Sequence, residues 1–342
     1  ADMVPLLGEN RTLVYYGLKV LNKTQRPGLL SFYRRLRLSL HNIMEDDLSF
    51  LIAPRINVAG RMEHATISFN LLTTQSGQEA DWISDRLETM NGDRKEIVDK
   101  IIKTIDSEIG LASPIGEKMQ PDVIMTGDAN WNPGVLGLAA NRVLEKYNCP
   151  VFLWGKGGDS IKGSCRSNGA INLVDFMKKL PAGLLDNQGG HGLSAGFSIA
   201  ENKVKKLKEE IIKLYAVFPK KEINNVIYIE KEAIIDNVDV AFFSIIEAFQ
   251  PFGVDNPKPI FSFKNLNIHG VKKFGNGGAH LQLDFKKNDG KIVSAIGFFI
   301  AQDYGSDLKV GQNIDLAASI EKSNFRNKPE IRLRIVDIKT KI

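Results

Sequence analysis

Residues 187–199 read NQGGHGLSAGFSI, and the fold of the middle of the chain turns on them. Gly189, Gly190, Gly192 and Gly196 surround a single imidazole, His191, and the stretch runs out into the alternating Phe197-Ser198-Ile199. Glycine serves where a backbone takes positive φ or lets a ligand come close. Apolar–polar alternation marks a half-buried strand. The pattern predicts backbone N–H groups and His191 meeting at one spot, anchored by a rigid strand. Such a spot can cradle an anion, and the imidazole can hydrogen-bond or protonate a phosphate oxygen. A glycine-rich strand entry whose histidine merely caps a turn accounts for the same residues.

The flanking sequence gives this stretch its setting. Asp122–Thr126 and Val151–Trp154 are apolar enough for buried strands, and residues 131–150 open on a turn and continue as a helix to about Tyr147. Ile161-Lys-Gly-Ser164-Cys-Arg166-Ser167 is a third strand ending in small polar residues and one arginine, and a helix follows from Asn172 to Leu180. This alternation predicts an α/β unit over 111–222 with a mixed or parallel sheet. Ligands on such sheets collect at strand ends, where Ser164, Arg166 and His191 all fall. Hydroxyl, guanidinium and imidazole together suit a terminal phosphate. The Lys-rich helix at 201–215 reads as a solvated face.

Toward the N-terminus, residues 76–110 form a charged, periodic stretch interrupted by Asn91-Gly92, read as a helical connector. Residues 1–75 read as mostly helical. Asn10 can cap a first helix, and Arg-Pro-Gly at 26–28 ends that unit as a turn. Between Arg11 and Arg37 every charged residue is basic. A solvated helix face explains such a run, and so does contact with a phosphate backbone. Phe50–Met62 reads as a loop between helical patterns. In it Arg55 and Arg61 could hold a phosphate through paired N–H groups, or simply make surface ion pairs.

Beyond residue 223 the pattern changes to short strands. Asn225–Ile229 alternates, Val240–Phe249 is helical, and QPFGVDNPKPIF (250–261) is a rigid turn element. Strand candidates follow at 262–271, 280–286, 291–298, 312–320 and 330–338, with Asn288-Asp-Gly290 a strong hairpin signal. Five strands and one helix predict a small β-barrel of OB type over 223–342. Phe274, His280, Phe285 and Phe325 lie among Lys272, Lys273, Lys286, Lys287, Arg326 and Lys328. Interleaved aromatics and cations compose a single-strand nucleic-acid surface, although half of a barrel's aromatics belong to its core.

The bulk numbers set bounds on these readings. With 342 residues the chain is long enough for two or three domains, and 43% hydrophobic with 25% charged residues is globular composition. A net charge of +5 permits a polyanionic partner without requiring one. Two cysteines, Cys149 and Cys165, in no ligand spacing, argue against a disulfide scaffold or a structural zinc and for a reducing cytoplasm. No apolar run reaches the ~20 residues of a membrane helix, so no membrane role is expected. The opening ADMVPLLGENR lacks an initiator Met and a signal segment, which suggests a piece of a longer chain.

Five blocks, PRINVAGRM (54–62), WNPGVLGLAANRV (131–143), KGSCRS (162–167), GGHGLSAGFSI (189–199) and QPFGVDNPKPIF (250–261), resemble the successive motifs of the RecJ family in the DHH phosphoesterase superfamily. The resemblance implies a remnant of a DHH domain (1–75), a helical connector (76–110), a DHHA1 domain (111–222) and an OB-fold (223–342). It implies a 5′→3′ exonuclease that degrades single-stranded DNA to 5′-mononucleotides in DNA repair and recombination, using two Mn²⁺ or Mg²⁺ ions. The family's metal ligands lie largely in motifs this sequence lacks, and only Asp2, in ADMVPL, matches one. By the same resemblance Ser164, Arg166 and either Arg55 or Arg61 grip the 5′-phosphate or the backbone beside it. Gly189 and Gly190 support that grip, and His191 contacts the scissile phosphate or a metal-bound water. Lys272, Lys273, Phe274, His280 and Arg326 would carry the strand on the barrel. A single-strand-binding protein and a RecQ-type helicase are the implied protein partners. Asn132 stands where many members carry His after the Trp, and Ser194 where many carry Ala. Two other readings remain open: a nucleic-acid-binding module inactive on its own, and a DHH phosphodiesterase of short oligonucleotides or cyclic dinucleotides.

Overall fold

The computed structural model of the chain describes residues 4–112, 121–158, 160–223, 226–304, 308–323 and 330–340. Its first helix, α1 (Gly8–Leu21), starts after Leu7 rather than from a cap at Asn10. Two units account for the chain, Lys23–Asn225 and Val226–Ile342, and α1 groups with the second. The sequence had placed it with the helices up to residue 75. Arg11 donates from Nη2 to the carbonyls of Phe249 (3.0 Å) and Gln250 (3.3 Å), and the Leu6 N–H bonds the Val254 carbonyl at 2.7 Å. The QPFG element is therefore the dock for this helix.

In the first unit Pro27 opens α2 (Pro27–Leu36) instead of closing a turn, since its missing N–H costs nothing in a first helical turn. A π-helical segment, Asp47–Ile52, runs directly into α3 (Ala53–Met62). The PRINVAGRM stretch, expected as a loop, is thus helical. Pro54 sits in the first turn, where it is tolerated, and Val58 and Ala59 are buried on the inner side. After α4 (Thr66–Thr73) comes α5 (Gly77–Ala112), 36 residues with no break at Asn91-Gly92. Ala80, Ile83, Leu87, Met90, Val98, Ile101 and Ile105 form a buried stripe along it. Packing of that stripe outweighs the roughly 1 kcal/mol that one glycine costs a helix.

The α/β part follows: β1 (Ile124–Asp128), α6 (Pro133–Tyr147), β2 (Val151–Gly157), β3 (Ser160–Arg166), α7 (Leu173–Lys178), β4 (Asn187–Gly190), β5 (Ser194–Ile199) and α8 (Val204–Val217). The sheet order is β1-β2-β3-β5-β4, with β1 and β2 parallel and the other neighbours antiparallel. Alternate residues feed two cores. Ile124, Val151 and Leu153 pack with Val135, Leu136 and Ala139 of α6 and with Ile101 and Ile105 of α5. Phe152, Ile161, Cys165 and Phe197 pack on the other face with Phe176 of α7 and with Leu207 and Ile211 of α8. On the α6 side β4 is exposed throughout and every second residue of β5 is half-exposed, so that corner of the sheet is open.

The second unit holds β6 (Lys231–Glu232), α9 (Val240–Glu247), β7 (Phe261–Phe274), β8 (His280–Lys286), β9 (Ile292–Gly297), α10 (Ala301–Tyr304), β10 (Asn313–Ser323) and β11 (Glu330–Thr340). Strands pair in the order β7-β8-β9-β11-β10, and β10 returns to pair with β7. β9 and β11 are parallel and the rest of the ring is antiparallel, which is the connectivity of a closed five-stranded OB-fold barrel. Leu281, Leu283, Phe285, Ile314, Leu316 and Leu333 fill it. The strand expected at 225–229 is not formed by residues 226–229. Val226 and Tyr228 are 61% and 80% exposed, so their alternation meets no core, and only the short β6 is added beside β7. The α/β unit and the OB-type barrel expected from the sequence are both present. Among the described residues no helix is long and apolar enough to cross a membrane.

Candidate phosphate site and nucleic-acid surface

The glycine-rich stretch forms a hairpin, not a loop entering a single strand. Gly189 pairs with Gly196 and Gly190 with Ala195. The turn is closed by the His191 N–H on the Ser194 carbonyl (2.7 Å) and the Ser194 N–H on the His191 carbonyl (3.3 Å). Gly190 has φ +137°, and a Cβ there would stand 2.5 Å from the Ser194 carbonyl oxygen, so only glycine fits. His191 is exposed at the tip. Across the sheet Ser164 pairs with Gly196, and Arg166 pairs with Ser194, itself bonded to His191. Residues paired across strands share a face, so Ser164, Arg166 and Gly189 lie on the α6 side, within two strand spacings of roughly 5 Å each, and His191 stands in the turn opposite Ser194. A groove of about 400 Å³ runs over this floor, bordered by Pro133, Lys162, Ser164, Asn187, Gly189 and Ser198.

Two guanidinium groups lie near Ser164, one of the residues that line the groove. Arg166 donates from Nη1 to Ser164 Oγ (3.2 Å) and to the Cys165 carbonyl (2.8 Å). It lies against α6 at Gly137, where a Cβ would be 2.7 Å from its Nη2. Burial first, and then the nearby charge of Arg61, holds the Arg166 guanidinium below its ordinary pKa. Arg61 donates from Nη1 to the Gly134 carbonyl (3.3 Å) in the first turn of α6, which Asn132 caps by accepting from the Gly134 N–H at 2.8 Å. Neither Arg61 nor Arg166 has a carboxylate partner among the described residues. Two uncompensated cations beside a hydroxyl and a helix N-terminus form an anion site in chemical character.

Arg55 is placed differently. Its Nε and Nη2 both bond the Glu88 carboxylate of α5, the second at 3.0 Å, and Nη1 donates to the Leu51 carbonyl at 2.8 Å. With a side chain only 11% exposed, it ties α3 to α5. Of the two candidates Arg55 and Arg61, the fold brings Arg61 to Arg166.

On the barrel, Phe274 pairs with His280 and Lys272 with Gln282, so Lys272, Phe274 and His280 share the outer face, while Lys273 pairs with Leu281 and takes the opposite side. The His280 ring stands 5.2 Å from Phe274, 5.0 Å from Phe298 and 4.6 Å from Phe299. Its Nδ1 accepts the Phe299 N–H at 3.1 Å. Phe299 is held at φ +62° and is 76% exposed, and the Arg334 guanidinium lies 4.0 Å over Phe298. Sequence reading missed Phe298, Phe299 and Arg334. The Phe-Phe pair closes an alternating run and reads as the end of a strand. Gly137, the seat of Arg166, carried no signal beyond its place in the WNPGVLG block. Asp2 and Arg326 lie outside the described residues.

The comparisons with known proteins agree with this architecture. Residues 120–216 match the DHHA1 domain model, and residues 229–337 match the RecJ OB domain model. The single-stranded-DNA-specific exonuclease RecJ of Bacillus subtilis is 26% identical over 339 residues, covering 98% of this chain and 42% of that protein. The Escherichia coli RecJ is 25% identical over 363 residues, covering 99% of this chain and 59% of its own length. This chain is similar to RecJ over nearly its whole length. A crystal structure of Thermus thermophilus RecJ in complex with Mg²⁺ superposes with a TM-score of 0.80 at 25% identity, covering all of this chain and 51% of that one. A second, in complex with Mn²⁺, gives the same TM-score. This chain therefore spans about half the length of the RecJ proteins it matches.

Proposed function

We propose that this chain supplies the strand-gripping part of a single-strand-specific 5′→3′ exonuclease of RecJ type. The observation that carries the reading is Arg166 bonded to Ser164, which lines a groove with Gly189 and Gly196, with Arg61 nearby on the Gly134 carbonyl and no carboxylate against either arginine among the described residues. Arg166 and Ser164 hold the terminal phosphate of a strand, and Arg61 approaches it from the first turn of α6. The open sheet corner lets the next nucleotide lie close to the backbone. His191, at the hairpin tip, is placed to hydrogen-bond or protonate an oxygen of the phosphate beyond the terminal one. On the barrel, Phe274, Phe298 and Phe299 offer faces on which bases stack, and Lys272 pairs with the backbone.

The related RecJ structures are complexes with Mg²⁺ and Mn²⁺. Among the described residues no group of three or more His, Cys, Asp or Glu side chains could hold a metal ion. Those residues do not fit such a centre. That observation favours a second reading, in which this polypeptide binds strands without cleaving them.

One assay of the chain as it stands separates the readings. Single-stranded oligonucleotides with a 5′-phosphate or a 5′-hydroxyl are incubated with it, with Mn²⁺ or Mg²⁺ and then with chelator. Salt-sensitive binding that prefers the 5′-phosphate is the expected result. Release of mononucleotides with metal would sink the binding-only reading. Cleavage of dinucleotides and cyclic dinucleotides but not of long strands would replace the exonuclease with a small-substrate phosphodiesterase. Binding with no preference between the two ends would overturn the phosphate-site assignment.

A further inference from the structure

Phe299 joins two features that are unfavourable for a bulky residue. Its backbone is left-handed, at φ +62°, and 76% of the residue is exposed to solvent. A phenylalanine is strained in that region, where glycine or asparagine is at ease, and burial does not offset the strain here. The barrel nevertheless fixes the position from several sides. The chain doubles back at 298–299 because position 297 is glycine, and a Cβ there would stand 2.1 Å from Ile300 Cδ1. The Ala301 N–H closes this turn on the Ala279 carbonyl at 3.2 Å. The Phe299 N–H donates to His280 Nδ1 at 3.1 Å.

His280 is itself held in place. Its ring stands among those of Phe274, Phe298 and Phe299 and is nearly perpendicular to the last, at 87°. Gly275, at φ +81°, clears the space for it, since a Cβ there would come within 2.5 Å of His280 Cδ2. A ring nitrogen that accepts a hydrogen bond carries no proton, so His280 serves this turn as an acceptor. The neighbouring rings are less available to a ligand. Phe298 lies under the Arg334 guanidinium, Phe274 is half-buried, and Phe299 presents most of its surface. Backbone strain that the surrounding structure maintains concentrates where a side chain must be aimed at a ligand.

We propose that Phe299 is the principal base-stacking residue of the barrel and that His280 is its positioning residue, holding the strained turn so that the phenyl ring is set for an unpaired nucleobase. The proposal rests on the reading of the barrel as a single-strand surface and assigns within it the ring that takes the base and the group that aims it. His280 acts through Phe299 and not by touching the strand. A ring fixed beforehand loses less freedom on binding than one that must be ordered by its ligand.

The test uses the whole chain in chelator with a 5′-hydroxyl oligothymidylate, so that the terminal-phosphate site contributes little. A second strand carries one 5-iododeoxyuridine, which on irradiation links to an aromatic ring stacked on it, and peptide mapping identifies that ring. Wild type is expected to cross-link at Phe299. Phe299→Gly is expected to lower affinity about tenfold, the loss of one stacked base, while the melting temperature stays level or rises as the strain is relieved. His280→Ala is expected to lower both the affinity and the cross-link at Phe299. His280→Asn, whose amide oxygen accepts the same N–H, is expected to restore both. Adding His280→Ala to Phe299→Gly is expected to cost nothing further, because the two act as one unit. An unchanged affinity in Phe299→Gly, or a cross-link that maps elsewhere, would overturn the base site. Additive losses in the double variant, or a loss that His280→Asn does not restore, would overturn the positioning role. Should His280→Ala fail to fold, His280→Leu, which fills the space without an acceptor, replaces it, and an unchanged cross-link there overturns the role too. Lys272→Gln is the companion measurement. If it weakens binding while Phe299→Gly does not, the barrel surface stands without this site, and if neither weakens it, the barrel reading itself fails.

Discussion

Single residues decide whether the site works, and Arg166 is the clearest case. It is fixed by Ser164 Oγ and the Cys165 carbonyl and has room only because position 137 is glycine. Replacing Arg166 by Ala is expected to weaken capture of a 5′-phosphorylated strand by about 1.5–3 kcal/mol, with a much smaller effect on a 5′-hydroxyl strand. Titration of both strands against wild type and variant measures it, and equal losses would assign Arg166 to structure or to an internal phosphate. A side-chain addition at Gly137 should act on the same grip from the other side. Gly137→Ala puts a methyl 2.7 Å from Arg166 Nη2, and the expected outcome is weaker 5′-phosphate binding with little change in helix stability. The sequence places Ser164, Arg166 and His191 near one another because each lies at the end of a strand candidate of one sheet, and their role is the proposal above. The choice between Arg55 and Arg61 was not legible there, since the carboxylate that occupies Arg55, Glu88, lies 33 residues away and reaches it only through helix packing.

At the scale of elements, the differences in the helices of the first unit share one cause. Glycine, proline and asparagine were read as punctuation, and tertiary packing carried the helices through them. Pro54 sits in a first turn, and Asn91-Gly92 lies on a helix whose buried stripe continues on both sides. Gly92 is exposed, and a Cβ there would meet nothing within 4 Å. Gly92→Ala is therefore expected to stabilise the chain by about 0.5–1 kcal/mol, read as a higher denaturation midpoint with unchanged strand binding. A decrease would mean that α5 bends at this point in solution. The barrel strands were more legible than the helices because strict alternation over Leu281, Leu283 and Phe285, bounded by Asn288-Asp-Gly290, admits few alternatives.

For the whole molecule the informative quantity is how its excess positive charge is distributed. The run from Arg11 to Arg37 contains no acid, yet the fold engages much of it internally. Arg11 binds the Phe249 and Gln250 carbonyls, Arg26 the Leu72 carbonyl, Arg34 the Asp81 carboxylate and Arg35 that of Asp85. The length of the basic run therefore overstates the cations free to meet a strand. Those with no carboxylate partner around the groove and beside Phe274 and His280 on the outer face of the barrel, among the described residues, are Arg61, Lys162, Arg166 and Lys272. Each phosphate neutralised on a single strand contributes about −0.7 to the slope of log K against log salt concentration, so about four contacts give a slope near −3. Affinity for a 5′-phosphorylated single strand, measured between low and physiological salt, checks this directly. A slope near −6 or steeper would mean that the N-terminal basic run does touch the backbone and that its ion pairs with Asp81 and Asp85 open on binding. Arg34→Gln with Arg35→Gln then distinguishes the two, because the double variant should leave a slope near −3 unchanged and should flatten a steeper one by about 1.4.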